Sequence, residues 1–231
     1  ESEIVMPDAS TLSKSQRLRN LLATRTVTIP GAFNALTAIQ IERAGYEIVY
    51  VSGAAVSAAR GLPDIGLISL AEMAGDAAAI AKAVAIPTIV DADTGYGPPA
   101  VVMEAVREFE QAGIAGMQIE DQETAKKCGH LSGKRLIPIF DMVAKIKAAV
   151  QARRDRDFVI VARTDARTVD GLEATIQRAR AYVEAGADAV DAAAEAVYER
   201  DAVEQHFDRA YFESVDARVA AAFDPGREVE E

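Results

Sequence analysis

The sequence holds one cysteine, two histidines and no tryptophan. A single thiol, Cys128, excludes an intramolecular disulfide framework. It also argues against structural zinc, which needs a full set of Cys and His ligands. No apolar run is long enough to cross a bilayer, so no transmembrane helix is expected. Flexible linkers rich in Gly, Ser or Pro are absent, as are low-complexity blocks. One large domain is therefore the simpler organisation for 231 residues. Positive charge is scarce: the formal net charge is −11. An acidic surface repels phosphate backbones and anionic lipid, so neither nucleic acid nor membrane is an expected partner. Solubility is the plain explanation of such charge. An acidic protein can still take an acidic substrate where a metal ion and a few Arg or Lys side chains reverse the field locally. The residues from Glu1 to Asp8 lack the basic-then-apolar order of a signal peptide. Together these absences lead us to expect a cytoplasmic protein.

What is present is an alternation of short apolar runs with longer helical patterns. Helices are expected over 11–24, 35–44, 70–84, 99–112, 138–152 and 172–185, each with an apolar stripe at helical spacing. Strands are expected over 26–30, 47–52, 87–90, 116–119, 158–162 and 187–190. The second strand ends in a small-residue turn, SGAAVSA, and a polar loop runs from Gln122 to Arg135. Repeated βα units imply a parallel sheet, either open and doubly wound or closed as a barrel. No GxGxxG or GxxxxGK[ST] loop follows the first strand, which lowers the dinucleotide and P-loop readings. Polar and acidic clusters instead follow strands two to five, the pattern of a barrel enzyme. After Val190 too few residues remain for two more units of about 30 residues each. That remainder reads as helix. The expected fold is α/β: a (β/α)8 TIM-type barrel lacking strands seven and eight in this chain. Residues 1–190 would form the barrel and its active site, and 191–231 a helical C-terminal segment.

Several clusters can carry chemistry. Asp91 and Asp93, in DADTGYG, sit directly after an apolar strand, and strand alternation puts both on one side. Two such carboxylates repel one another unless a cation lies near, and hard oxygen ligands favour Mg2+ over zinc. A simple Asp/Gly turn is the bland alternative. Glu120 and Asp121 follow the next strand and suggest a shared metal site, although an acidic pair is ordinarily solvated surface. Asp64, in GLPD, is an unremarkable loop residue taken alone. In KKCGH, Lys126 and Lys127 flank Cys128, with His130 close by. Cationic neighbours lower a thiol pKa, while a buried inert cysteine is the ordinary alternative. Chemistry alone leaves nucleophile and proton donor both open for Cys128. Arg163, in ARTDAR, offers a planar fork for a substrate carboxylate or for a salt bridge to Asp91, Asp93 or Asp165.

These strings, YVSGAAVSAARGLPDIG, VDADTGYG, QIEDQ, KKCGHLSGK and VARTDAR, occur in an order that resembles the isocitrate lyase/phosphoenolpyruvate mutase superfamily. The cysteine in KKCGH is similar to that of its lyase branch. The resemblance implies a carbon–carbon lyase with Mg2+, or Mn2+ as an alternative, cleaving a small carboxylic acid such as 2-methylisocitrate to pyruvate and succinate. That would place the chain in propionate metabolism. Relatives acting on dimethylmalate or oxaloacetate share the pattern, and an impaired homologue with a binding or assembly role is a third reading. By resemblance, Asp91 would bind the metal directly, while Asp64, Asp93 and Glu120 would hold its waters. Ser52, Gly53 and Ala54 would cradle a substrate carboxylate, with Asp91, Gly129 and Arg163 also at the substrate. Tyr50 would lie beside the 2-hydroxyl. Cys128 would be the general acid, aided by Lys126 and His130, on a loop hinged at Gly129 and Gly133. The final helical string resembles a helix exchanged between subunits, which implies a homo-oligomer, a dimer of dimers.

Overall fold

The computed structural model describes residues 12–124, 126–127 and 133–192. Its strands are β1 (Gly31–Ala32), β2 (Val49–Val51), β3 (Thr88–Asp91), β4 (Gly116–Glu120), β5 (Val159–Thr164) and β6 (Ala189–Ala192). They form one six-stranded parallel sheet in the order β1-β2-β3-β4-β5-β6. Spatial order equal to chain order means that every crossover advances in one direction. A doubly wound sheet would reverse at a switch point. The sheet is therefore an arc of a β/α-barrel, as the sequence implies. The expected helical segment 191–231 is corrected at its start, where Asp191 and Ala192 belong to β6; the rest of it, and any seventh or eighth strand, lie outside the described residues.

The helices are α1 (Lys14–Thr24), α2 (Ala35–Arg43), α3 (Gly53–Ala59), α4 (Leu70–Ala83), α5 (Pro99–Gln111), α6 (Ile139–Ala152), α7 (Ala166–Val169) and α8 (Leu172–Glu184). Their starts follow from local chemistry. Ser13 with Gln16, and Ser69 with Glu72, close capping boxes on α1 and α4. Asn34 caps α2 through the Thr37 amide, and Pro99 opens α5, where a missing N–H costs nothing.

Strand alternation splits the apolar residues into two cores. Val49, Val51, Val90, Met117, Ile119, Ile160 and Ala162 pack outward, in one cluster with apolar residues of α2, α4, α5 and α6. Ile48, Ile89 and Val159 face the other way and meet Leu18 of α1, with Tyr50 and Val161 against them. Helix α1 thus plugs the N-terminal end of the arc. Its Arg19 donates to the carbonyls of Asp157 (2.9 Å), Arg156 (3.1 Å) and Phe158 (3.4 Å) and pairs with Asp188. Gly116 makes room for the plug: a Cβ there would lie 2.7 Å from the Val159 carbonyl oxygen and 3.2 Å from Leu18.

Two expectations about elements need correction. The run 26–30 is not a strand; the ladder begins at Gly31. Pro30 has no N–H to donate, and contributes only its carbonyl, which accepts from the Tyr50 amide at 2.9 Å. SGAAVSA is not a turn but α3, because Ser52 caps the Ala55 amide (3.3 Å) and the alanines that follow favour helix. Strand β5 also runs two residues further than expected, so Arg163 lies within the ladder.

Candidate active site

The C-terminal ends of β2, β3, β4 and β5 bring most of the expected residues to one place. Ser52 and Gly53 follow β2, Asp91 ends β3, Glu120 ends β4 and Arg163 lies near the end of β5. The Gly53 amide donates to Asp91 Oδ2 at 3.3 Å, and the Asp93 amide donates to Asp91 Oδ1 at 3.0 Å. Glycine is required at 53: a Cβ would stand 2.9 Å from Asp91 Oδ2. Asp93 itself holds φ 47°, a left-handed conformation for which a β-carbon is disfavoured. Ala54 lies one residue into α3.

Lys126 reaches the same cluster. Its Nζ lies 2.7 Å from Asp64 Oδ1 and 2.5 Å from Asp93 Oδ1, and its side chain is only 6% exposed. Burial pulls this ammonium down, but Asp91, Asp93 and Glu120 outweigh it and hold the group above its usual range. The carboxylates remain short of positive charge. Burial, reinforced by Asp91, pushes Asp93 up to about 6. Burial pushes Glu120 up to about 8, against the pull of Lys126, with Asp91 raising it further. Glu120 Oε1 is buried and has no hydrogen-bond partner among the described residues.

Among the described residues no three His, Cys, Asp or Glu side chains already converge as a ready-made metal cage. The donor set nonetheless fits a hard divalent cation. It is all oxygen and largely buried, it carries the unpartnered Glu120 oxygen, and its close counter-charges among the described residues are a lysine spanning Asp64 and Asp93 and, 3.6 Å from Glu120, Arg163.

Arg163 engages Asp165 at 3.1 Å and lies 3.6 Å from Glu120, so the salt-bridge reading holds for Asp165 and not for Asp91 or Asp93. Its Nε has no hydrogen-bond partner among the described residues. Tyr50 faces the same interior. Burial, with Asp91 next, pushes its phenol well above the usual range, and Arg163, Asp191 and Glu120 also act on it. Cys128, Gly129 and His130 lie outside the described residues, and with them the thiol end of the expected constellation. Gly133, the other expected hinge, is described with φ 75°.

Asp121 does not join the cluster. It is fully buried and points to the helix side, where Oδ2 accepts from Tyr182 (2.7 Å) and Arg178 (3.1 Å) of α8. Four participants escaped sequence reasoning. Lys134 and Gln122 both bind Asp165. Asp191 of β6 lies in register beside Arg163 and accepts from Gln118 of β4 at 3.3 Å. Strand parity with Glu120 and Arg163 would have marked Gln118 and Asp191 as inward-facing, and Gln122 and Lys134 close the strings QIEDQ and KKCGHLSGK without having been given a role. Beside the cluster lies a cavity of about 380 Å³ lined by Asp93, Thr94, Tyr96, Lys126 and the 66–70 segment.

The family model described as phosphoenolpyruvate phosphomutase matches residues 18–211. The chain is 52% identical over 174 residues to a 2-methylisocitrate lyase of Aeropyrum pernix, covering 75% of this chain and 56% of the relative. It is 46% identical over 181 residues to a 2,3-dimethylmalate lyase of Eubacterium barkeri, covering 78% and 63%. Among solved structures, a phosphonopyruvate hydrolase in complex with oxalate and Mg++ superposes with a TM-score of 0.75 at 33% identity, covering 91% of this chain and 77% of that one. The chain thus spans 56% to 63% of the length of these two curated relatives. A family match across most of the chain, joined to a sheet whose strand tips carry that cluster of acids, leaves one conclusion: the chain belongs to the phosphoenolpyruvate phosphomutase family, within the PEP mutase/isocitrate lyase superfamily.

Proposed function

We propose that this chain is the barrel part of a carbon–carbon lyase that cleaves 2-methylisocitrate to pyruvate and succinate. The observation that carries the reading is the set of carboxylates Asp64, Asp91, Asp93 and Glu120, gathered with Arg163 in a chain 52% identical to a 2-methylisocitrate lyase. Asp91 would hold Mg2+ directly, with Asp64, Asp93 and Glu120 around it. Bound there, the cation supplies Lewis-acid stabilisation of the oxygen charge that develops when a 2-hydroxy acid is cleaved.

The chain's own residues do the rest. Arg163 grips a substrate carboxylate through its planar fork. Ser52, Gly53 and Ala54, at the start of α3, cradle another, with Gly129 also at the substrate. Tyr50 lies at the 2-hydroxyl. Lys126 neutralises Asp64 and Asp93 until substrate and cation arrive. Retro-aldol cleavage releases the hydroxyl proton to solvent, breaks the carbon–carbon bond as that oxygen becomes the pyruvate carbonyl, and leaves the bonding pair on a succinate carbanion equivalent. Cys128, helped by His130, protonates that carbon. Homo-oligomerisation and a cytoplasmic setting belong to the same proposal. Among the described residues no helix is long and apolar enough to cross a membrane.

The test is pyruvate release from 2-methylisocitrate with and without Mg2+. Turnover that needs the metal, and that disappears in Cys128→Ser while substrate still binds, supports the reading. Full turnover with EDTA present contradicts it. The likeness to a 2,3-dimethylmalate lyase favours a second substrate, so specificity constants for 2-methylisocitrate, dimethylmalate and oxaloacetate decide which acid is preferred.

A further inference from the structure

The polar segment between β4 and α6 is fastened at both of its bases. At the upstream base, the Gln122 amide brackets Lys127, accepting from its N–H and donating to its carbonyl, both at 3.0 Å. The same Gln122 Nε2 donates to Asp165 Oδ2 at 3.1 Å. At the downstream base, the buried Lys134 ammonium lies 3.2 Å from Asp165 Oδ1. Backbone bonds from Glu123 to Arg135 and from Ile137 to Asp121, both 2.9 Å, draw the bases together.

Asp165 is fully buried, and its third side-chain partner is Arg163, whose Nη2 donates to Oδ1 at 3.1 Å. One carboxylate thus takes bonds from the proposed substrate-binding arginine and from both ends of the segment that bears Cys128. All three partners come from the active-site side. Asp121 is tied differently: its Oδ2 is spent on helix α8, and its Oδ1 accepts from the Asp165 amide at 3.1 Å. A carboxylate offers about four acceptor directions, so three donors nearly saturate Asp165 and fix each of them. Burial raises its pKa, but Arg163 and Lys134 outweigh that and hold the group below the usual range, keeping it ionised for all three partners.

We propose that Asp165 is a positioning residue, orienting the Arg163 guanidinium and, through Gln122 and Lys134, pinning both bases of the 122–135 segment to it. The substrate half of this claim rests on the lyase reading; the pinning half does not.

Asp165→Asn, Lys134→Met and Lys134→Arg test it by two readouts: steady-state kinetics with 2-methylisocitrate, and hydrogen exchange at the amides of Glu123, Lys127 and Ile137. Tyr182→Phe, which removes a donor to Asp121 Oδ2 and leaves the side-chain bonds of Asp165 in place, is the structural control. Loss of charge-assisted bonds leads us to expect a KM raised about 10-fold or more in Asp165→Asn, with exchange faster at both bases. Lys134→Met should speed exchange and raise KM in the same direction, and Lys134→Arg should restore both. Tyr182→Phe should lower stability and leave KM and exchange at Glu123 and Lys127 alone, while Ile137, whose amide donates to Asp121, follows the loss of stability. If Asp165→Asn does not fold, Lys134→Met decides. Variants that lose stability only, with KM and exchange as in wild type, overturn the positioning role and leave the lyase reading standing. A wild type that cleaves nothing, with exchange still accelerated in the variants, overturns the lyase reading and leaves the pinning role standing.

Discussion

Glu120 and Asp121 are neighbours with opposite tasks. Along a strand, successive side chains leave opposite faces, so Glu120 enters the acid cluster while Asp121 enters the seam under α8. Asp121 is fully buried and ties Tyr182 and Arg178 to the sheet. Removing the Tyr182 hydroxyl leaves a buried charge with one donor fewer. Tyr182→Phe should therefore lose about 1–3 kcal/mol in a denaturant titration without changing KM. The same parity argument reads Gln118 and Asp191 as inward. The acids at 91, 93 and 120 were legible from the sequence because each follows an apolar strand. Lys126 was legible only as a neighbour of the thiol. Its actual contacts, Asp64 in the loop between α3 and α4 and Asp93 after β3, are distant in sequence, and no local pattern encodes them.

At the scale of elements, the plug formed by α1 sets the floor of the site. Leu18 is fully buried against Ile48, Ile89 and Val159, so Leu18→Ala should cost about 2–5 kcal/mol, measured as a shift in the unfolding midpoint. Loosening of the floor beneath Tyr50 should accompany it. Strands β2 to β6 were readable as apolar runs, but their ends were not, and β1 shares no residue with the expected run 26–30. Pro30 delays β1, and β5 carries on through Arg163 because its ladder with β6 extends to Thr164. Helix α3 was hidden because small residues fit both turns and helices, and the decisive cap is a single Ser52 hydroxyl. The acid limb of stability belongs to this scale as well. Asp165, at the start of α7, has a folded pKa below its ordinary 3.8, and Arg163 and Lys134 are the groups that depress it. A depressed carboxyl contributes stability that is fully present above its unfolded value and is lost as pH falls through the folded one. Chemical denaturation between neutral pH and about pH 3 should show that loss below about pH 4, and Asp165→Asn should flatten it.

At the scale of the whole molecule, sequential strand order identifies a barrel arc whose outer strands, β1 and β6, each have one partner among the described strands. Sheet edges of this kind are ordinarily covered. Light scattering at micromolar concentration should accordingly report a mass above one chain, and a monomer would contradict the proposed assembly. The overall architecture was legible because β/α order is written in hydrophobic periodicity. The closure of the barrel was not, because it depends on residues beyond β6.

The central claim is that acids from separate strand tips share one divalent cation. Calorimetric titration of the metal-free protein with MgCl2 tests it most directly, with Asp91→Asn and the double variant Asp91→Asn/Asp93→Asn alongside. The account predicts one saturable Mg2+ site in the wild type, weakened in the single variant and lost in the double one. A wild type that binds no Mg2+, or a double variant that binds it equally well, would contradict it.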